Sequence, residues 1–184
     1  MKATKQLKAE HEGIKMMLSI LDRICLKLES SEKVDVNHLE QILEFFRVFV
    51  DRCHHGKEED LLFPAMEHAG VPKEGGPIGQ MLVEHDHGRG YVKGMAEAVA
   101  EYKAGNLEAG KAIVQNARGY IATLEAHIQK ENMVLFSLAD SRLSGETQER
   151  LFEEFEQLEE HKIGLGKHEE FHGLLDHLAK VYLN

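Results

Sequence analysis

A chain of 184 residues, 42% hydrophobic and 29% charged, is long enough for one domain with a sizeable core. Its formal net charge of −10 argues against nucleic acid or an anionic membrane as a partner. The two Cys, Cys25 and Cys53, are far apart and exclude a disulfide scaffold, whereas twelve His are many for this length and invite a metal reading. No apolar signal core follows Met1, and no apolar run is long enough to span a membrane, so a cytoplasmic protein is expected.

Taken in order, the first predicted helix runs from about Thr4 to Leu28. Its inward stripe is Leu7, His11, Ile14, Leu18, Leu21, Cys25 and Leu28, with one polar member, His11. Asp35 caps a second helix that starts near Val36, with the stripe Leu39, Leu43, Phe46, Val50, His54, Glu58 and Leu61. Pro64 is expected to kink or end it, with a helical remnant to about Ala69. The Gly- and Pro-rich stretch from Gly70 to Pro77 is the clearest loop.

A third helix opens at Pro77, and His85 again stands alone in an apolar line. Gly88, Gly90 and Gly94 lower its propensity and suit close approach of another helix. Gly105-Asn106 ends it and caps a fourth helix, from about Leu107 to Ala139, whose stripe includes Ile121, Leu124, His127, Glu131 and Leu138. Ser144 caps a fifth helix, about Glu146 to His161, and a last one runs from about Lys167 to Tyr182. Met16, Met17, Met81, Met95 and Met133 read as core fillers.

The four long helices form two similar halves. Glu10-His11 is echoed by Glu84-His85, and His54-x-x-Lys-Glu58 is echoed by His127-x-x-Lys-Glu131. In each half a Phe (Phe63, Phe136) follows the Glu by five residues, which selects His54 and Glu58 as the inward pair and leaves His55 and Glu59 outward-facing or behind the site. Short connections imply an all-α, up-down-up-down four-helix bundle over residues 1–140, with residues 141–184 as a C-terminal helical extension packed on it. Antiparallel packing then brings His11, His54, Glu58, His85, His127 and Glu131 into one buried layer.

Burying two carboxylates and four imidazoles without partners costs several kcal/mol or more. Their chemistry suits a pair of first-row transition ions, with two Glu bridging and two His on each ion. The donor set disfavours Ca and Mg, finger-type Zn and Fe–S clusters. Iron is the first choice, as a di-iron centre with an oxo or hydroxo bridge, and Mn or Zn are possible substitutes.

On these motifs the chain resembles the hemerythrin-like (HHE cation-binding) family over residues 4 to 139. The resemblance implies a non-haem di-iron centre that binds, senses or reacts with oxygen, nitric oxide or peroxide. It carries the ligand roles onto His11, His54, Glu58, His85, His127 and Glu131. Oxygen-carrying members have a fifth His and an Asp in place of one Glu; here Glu131 holds that place, a resemblance to members linked to iron handling or stress response. Helices 1 to 4 offer no obvious fifth His, and His168 is the first candidate in the extension. An oxidoreductase or a donor in iron-centre repair is the alternative, needing an electron donor for which the chain carries no flavin or nicotinamide motif. A purely structural metal ranks third.

Overall fold

The computed structural model describes residues 2–184. Six helices and no strand make up the described residues: α1 (Ala3–Glu29), α2 (residues 36–68), α3 (Pro77–Lys103), α4 (residues 109–142), α5 (Gly145–Lys162) and α6 (Lys167–Tyr182). None is long and apolar enough to cross a membrane.

Local chemistry sets the starts of two of these helices. The Asp35 side chain accepts the Asn37 amide at 2.8 Å, and that of Ser144 accepts the Thr147 amide at 3.1 Å. Asn106 departs from expectation. Its side chain donates to Glu101 at 3.3 Å, and α4 begins at Ala109 with no side-chain cap.

Consecutive long helices are joined by short connections and run antiparallel, with side chains paired across each seam. Glu10 meets His54, Arg89 meets Asp51 while Lys103 meets Glu40, and Glu84 meets His127. Helices α1 and α4 close the ring through Arg118–Asp22 at one end and His11–Asn132 at the other. Helices α3 and α4 lie close where glycine allows it. A Cβ on Gly119 would come 2.3 Å from the Tyr91 ring, whereas one on Gly90 would meet open space.

Two long helices carry wide, π-helical turns in which the backbone closes over five residues rather than four. They are Phe46–His55 and Glu58–Leu62 in α2, and Glu131–Leu135 in α4. The helical remnant expected after Pro64 is present as Phe63–His68, and it continues α2 without a break. The proline falls just after the wide turn, where the regular bonding pattern restarts and its missing N–H is tolerated. It is not what makes the turn, because Ser137 holds the matching place after Glu131–Leu135.

The apolar core comes in two parts, with the polar layer between them. One part holds Ile14, Val50, Val92 and Leu124; the other holds Leu7, Leu62, Met81 and Leu135. Along all four helices the His and Glu of the layer lie between these residues. The extension packs on both parts: Phe171, Leu175 and Leu178 of α6 join the first, Leu151 and Phe155 of α5 the second. Met16 and Met133 are not core fillers, being 41% and 68% exposed.

Candidate metal centre

Each predicted site residue lies in the buried layer. His11 comes from α1, His54 and Glu58 from α2, His85 from α3, and His127 and Glu131 from α4; none is more than 1% exposed. Their imidazoles meet in pairs. His11 Nε2 lies 3.0 Å from His54 Nε2, and His85 Nε2 lies 3.1 Å from His127 Nε2. The two carboxylates span the pairs. Glu131 places Oε2 3.1 Å from His11 and Oε1 3.2 Å from His127, while Glu58 places Oε1 3.6 Å from His54 and Oε2 3.4 Å from His85.

Behind each imidazole stands an acceptor for its Nδ1 hydrogen. His54 donates to Glu10 at 2.8 Å, His127 to Glu84 at 2.9 Å, His85 to Glu59 at 2.6 Å and His11 to the Asn132 side-chain oxygen at 2.9 Å. These bonds fix the tautomer that turns the Nε2 lone pair inward. Two lone pairs 3.0 Å apart repel unless a cation lies between them. All four oxygens of Glu58 and Glu131 are buried without a hydrogen-bond partner, which is costly unless something else neutralises them. A metal cation meets both demands, and the donor set of imidazole and carboxylate suits first-row transition ions.

The outer ring repeats as faithfully as the inner one. Lys57 donates to Glu10 at 2.6 Å, and Lys130 donates to Glu84. Thus Glu10 and Glu84 each hold one inward His and one Lys from the same turn. The sequence repeat includes both Glu-His pairs and both Lys but does not by itself assign them this role. Their place in the repeat was the available signal. The halves differ at Glu59 and Asn132, each the residue after the spanning Glu: a carboxylate braced by Arg89 at 2.6 Å in one, a neutral amide in the other.

Burial opposes ionisation throughout, but at His85 the nearby carboxylates of Glu131, Glu58 and Glu59 outweigh it and raise the pKa to about 11. Glu58 and Glu10 likewise raise His54, and Glu131 raises His127. Burial would raise Glu131, yet His127 and its other imidazole neighbours hold it well below the ordinary carboxylate value. The two carboxylates therefore draw positive charge into the layer.

His55 corrects the sequence reading. It is not outward-facing; it is 4% exposed, and its ring stacks on that of His85 with centroids 3.8 Å apart. Two groups of donor atoms, each within a 4.8 Å span, share Glu58: His55, Glu58, His85 and His127 in one, and His11, His54, Glu58 and Glu131 in the other. The physical reason is the wide turn over Phe46–His55, which turns the chain through a smaller angle per residue, so that successive His both face inward. Burial and the neighbouring imidazoles push the His55 pKa well below its ordinary value, which keeps the ring neutral. His168 stands elsewhere. It is 32% exposed and pairs with Glu159 at 2.9 Å. Glu59 does stand behind the site, on His85.

An antiparallel helical bundle with one buried His and Glu layer between two apolar layers is the architecture of a metal-binding bundle. The sequence model of the Hemerythrin HHE cation binding domain matches residues 2–139, and the chain belongs to that family. It is 24% identical over 179 residues to an uncharacterized protein of Mycobacterium tuberculosis, and to its counterpart in Mycobacterium bovis, covering 97% of this chain and 68% of each relative. No solved structure matches.

Proposed function

We propose that the layer holds a pair of transition ions, iron first with Mn or Zn as substitutes, and that the protein binds, senses or reacts with a small ligand there. The observation that carries this reading is the set of four unpartnered carboxylate oxygens facing two convergent Nε2 pairs. His11 and His54 would hold one ion, His85 and His127 the other with His55 beside them, and Glu58 and Glu131 would bridge. When bound, redox-active ions of this kind exchange electrons with oxygen, nitric oxide or peroxide.

The chain's own residues do the rest. Glu10, Glu59, Glu84 and Asn132 hold the imidazoles in the inward tautomer and fix their planes. Phe63 and Phe136 pack on His85 and His11, with ring centroids 6.0 and 5.5 Å away, and keep bulk water off that side. The group of His11, His54, Glu58 and Glu131 supplies four donors, which would close a tetrahedral zinc site but would leave a shortfall on an iron that accepts about six. That shortfall favours ligand binding over a purely structural metal. Turnover as an oxidoreductase or repair donor would call on an external electron donor.

Elemental analysis of single variants tests the reading. His54→Ala and Glu131→Ala should lose most of the metal, and His177→Ala should keep it. Equal metal content in His54→Ala and the parent contradicts the ligand set.

A further inference from the structure

A cavity of about 270 Å³ opens between α2 and α3 and ends on the candidate metal centre. Its walls are Phe46, Val50, Val92 and the buried ring of Tyr120, which packs on Phe46 at 4.6 Å. His55 lies at the inner end, 4% exposed, with Nδ1 making no hydrogen bond and 3.5 Å from Asp51 Oδ1. At the mouth, Arg89 and Asp51 are joined at 2.8 Å, and Arg89 also binds Glu59 and Asp86. The two remaining charges there, Arg47 and Lys93, are exposed and have no ion-pair partner among the described residues.

We propose that this cavity is a binding site for small organic monocarboxylates, held with the apolar body between Phe46, Val50, Val92 and Tyr120 and the carboxylate at Arg47 and Lys93. Three features lead to that class. The volume far exceeds a diatomic ligand, since liquid water takes only about 30 Å³ per molecule. The walls are aromatic and branched aliphatic, which suits a ring or a short branched chain. The free charges at the mouth are cationic on a chain of net charge −10, so anions are selected locally against the overall field. Gly88 keeps the space open: its backbone lines the cavity, and a Cβ there would meet only the Tyr120 ring at 3.5 Å. The proposal rests on the metal reading for what lies beyond His55, but not for binding itself.

Benzoate is the probe, titrated into the purified full-length chain by calorimetry, with valine methyl signals followed by NMR and metal content measured alongside. Saturable binding should move Val50 and Val92. Arg47→Glu with Lys93→Glu, both on the surface, should weaken it by at least about tenfold with metal content unchanged. Gly88→Leu should abolish it by filling the space. Benzyl alcohol and nitrate should each bind at least about tenfold more weakly, because each lacks one half of the recognition. No binding to the folded parent, unchanged affinity in the double variant, or equal binding of either comparison compound overturns the proposal. Benzoate binding through these residues in a chain that takes up no metal upholds it and rejects the metal reading instead.

Discussion

Lys57 Nζ donates to Glu159 Oε2 at 2.8 Å, and through that bond α5 reaches the ring of groups around the metal layer. The same ammonium holds Glu10, which holds His54. Lys57 is completely buried, whereas its counterpart Lys130 is 44% exposed. The extension thus covers Lys57 in one half of the repeat, while Lys130 in the other stays at the surface.

Replacing Glu159 should therefore loosen the extension and unsettle Lys57 without removing metal. Glu159→Gln is expected to cost about 1–3 kcal/mol in urea unfolding, because a buried cation loses one of its two carboxylates. Unchanged metal content alongside that loss separates support of the fold from ligation.

Acid should release the same contact. Burial raises the Glu159 pKa, but His168 and Lys57 outweigh it and lower it from the ordinary 4.5 to about 2. A depressed carboxylate stabilises the fold above its ordinary value, and that contribution is lost as pH falls from 4.5 towards 2. His168 acts with the opposite sign. Its hydrogen bond to Glu159 raises its pKa above 6.5, so its contribution is complete below 6.5 and is lost as pH rises through the raised value. Hydrogen exchange of α5 amides in the parent and in Glu159→Gln should diverge between these limits and converge at the acid extreme.

The residues behind the imidazoles should govern metal affinity without touching the metal. Glu10→Gln and Glu84→Gln are each expected to weaken binding by about 10–100-fold in chelator competition, through the lost orientation of His54 and His127. His55→Ala should weaken it by at least about tenfold as well. His168→Ala should leave it unchanged, since that ring lies on Glu159.

Two glycines should respond in opposite directions to alanine. Gly90→Ala faces open space in the middle of α3 and should stabilise the chain by about 0.5–1 kcal/mol. Gly119→Ala drives a methyl into the Tyr91 ring and should destabilise it by about 1–3 kcal/mol. Thermal unfolding of the two variants beside the parent reads both signs.

Much of this was legible in the residues. Apolar spacing, Asp35, Ser144 and the glycine loops marked the helices because each acts locally. The repeat of Glu-His and His-x-x-Lys-Glu marked the layer because two copies must meet for either to be neutralised. His55 was not legible: a stripe drawn at 100° per residue turns it outward, and the wide turn over Phe46–His55 is a backbone state that no single residue announces. Met16 and Met133 are exposed because both lie off the inward stripes, so residue type alone misplaces them in the core. The bond from Lys57 to Glu159 spans 102 residues and depends on how α5 packs, which periodicity does not encode.

The central claim is that the His and Glu layer holds a redox-active metal pair. Elemental analysis of the purified chain, joined to an ultraviolet-visible spectrum before and after dithionite and then air, tests it most directly. The account predicts about two irons per chain, with near-ultraviolet bands that bleach on reduction and return in air. Zinc or no metal, with no such bands after anaerobic loading with iron, would contradict it.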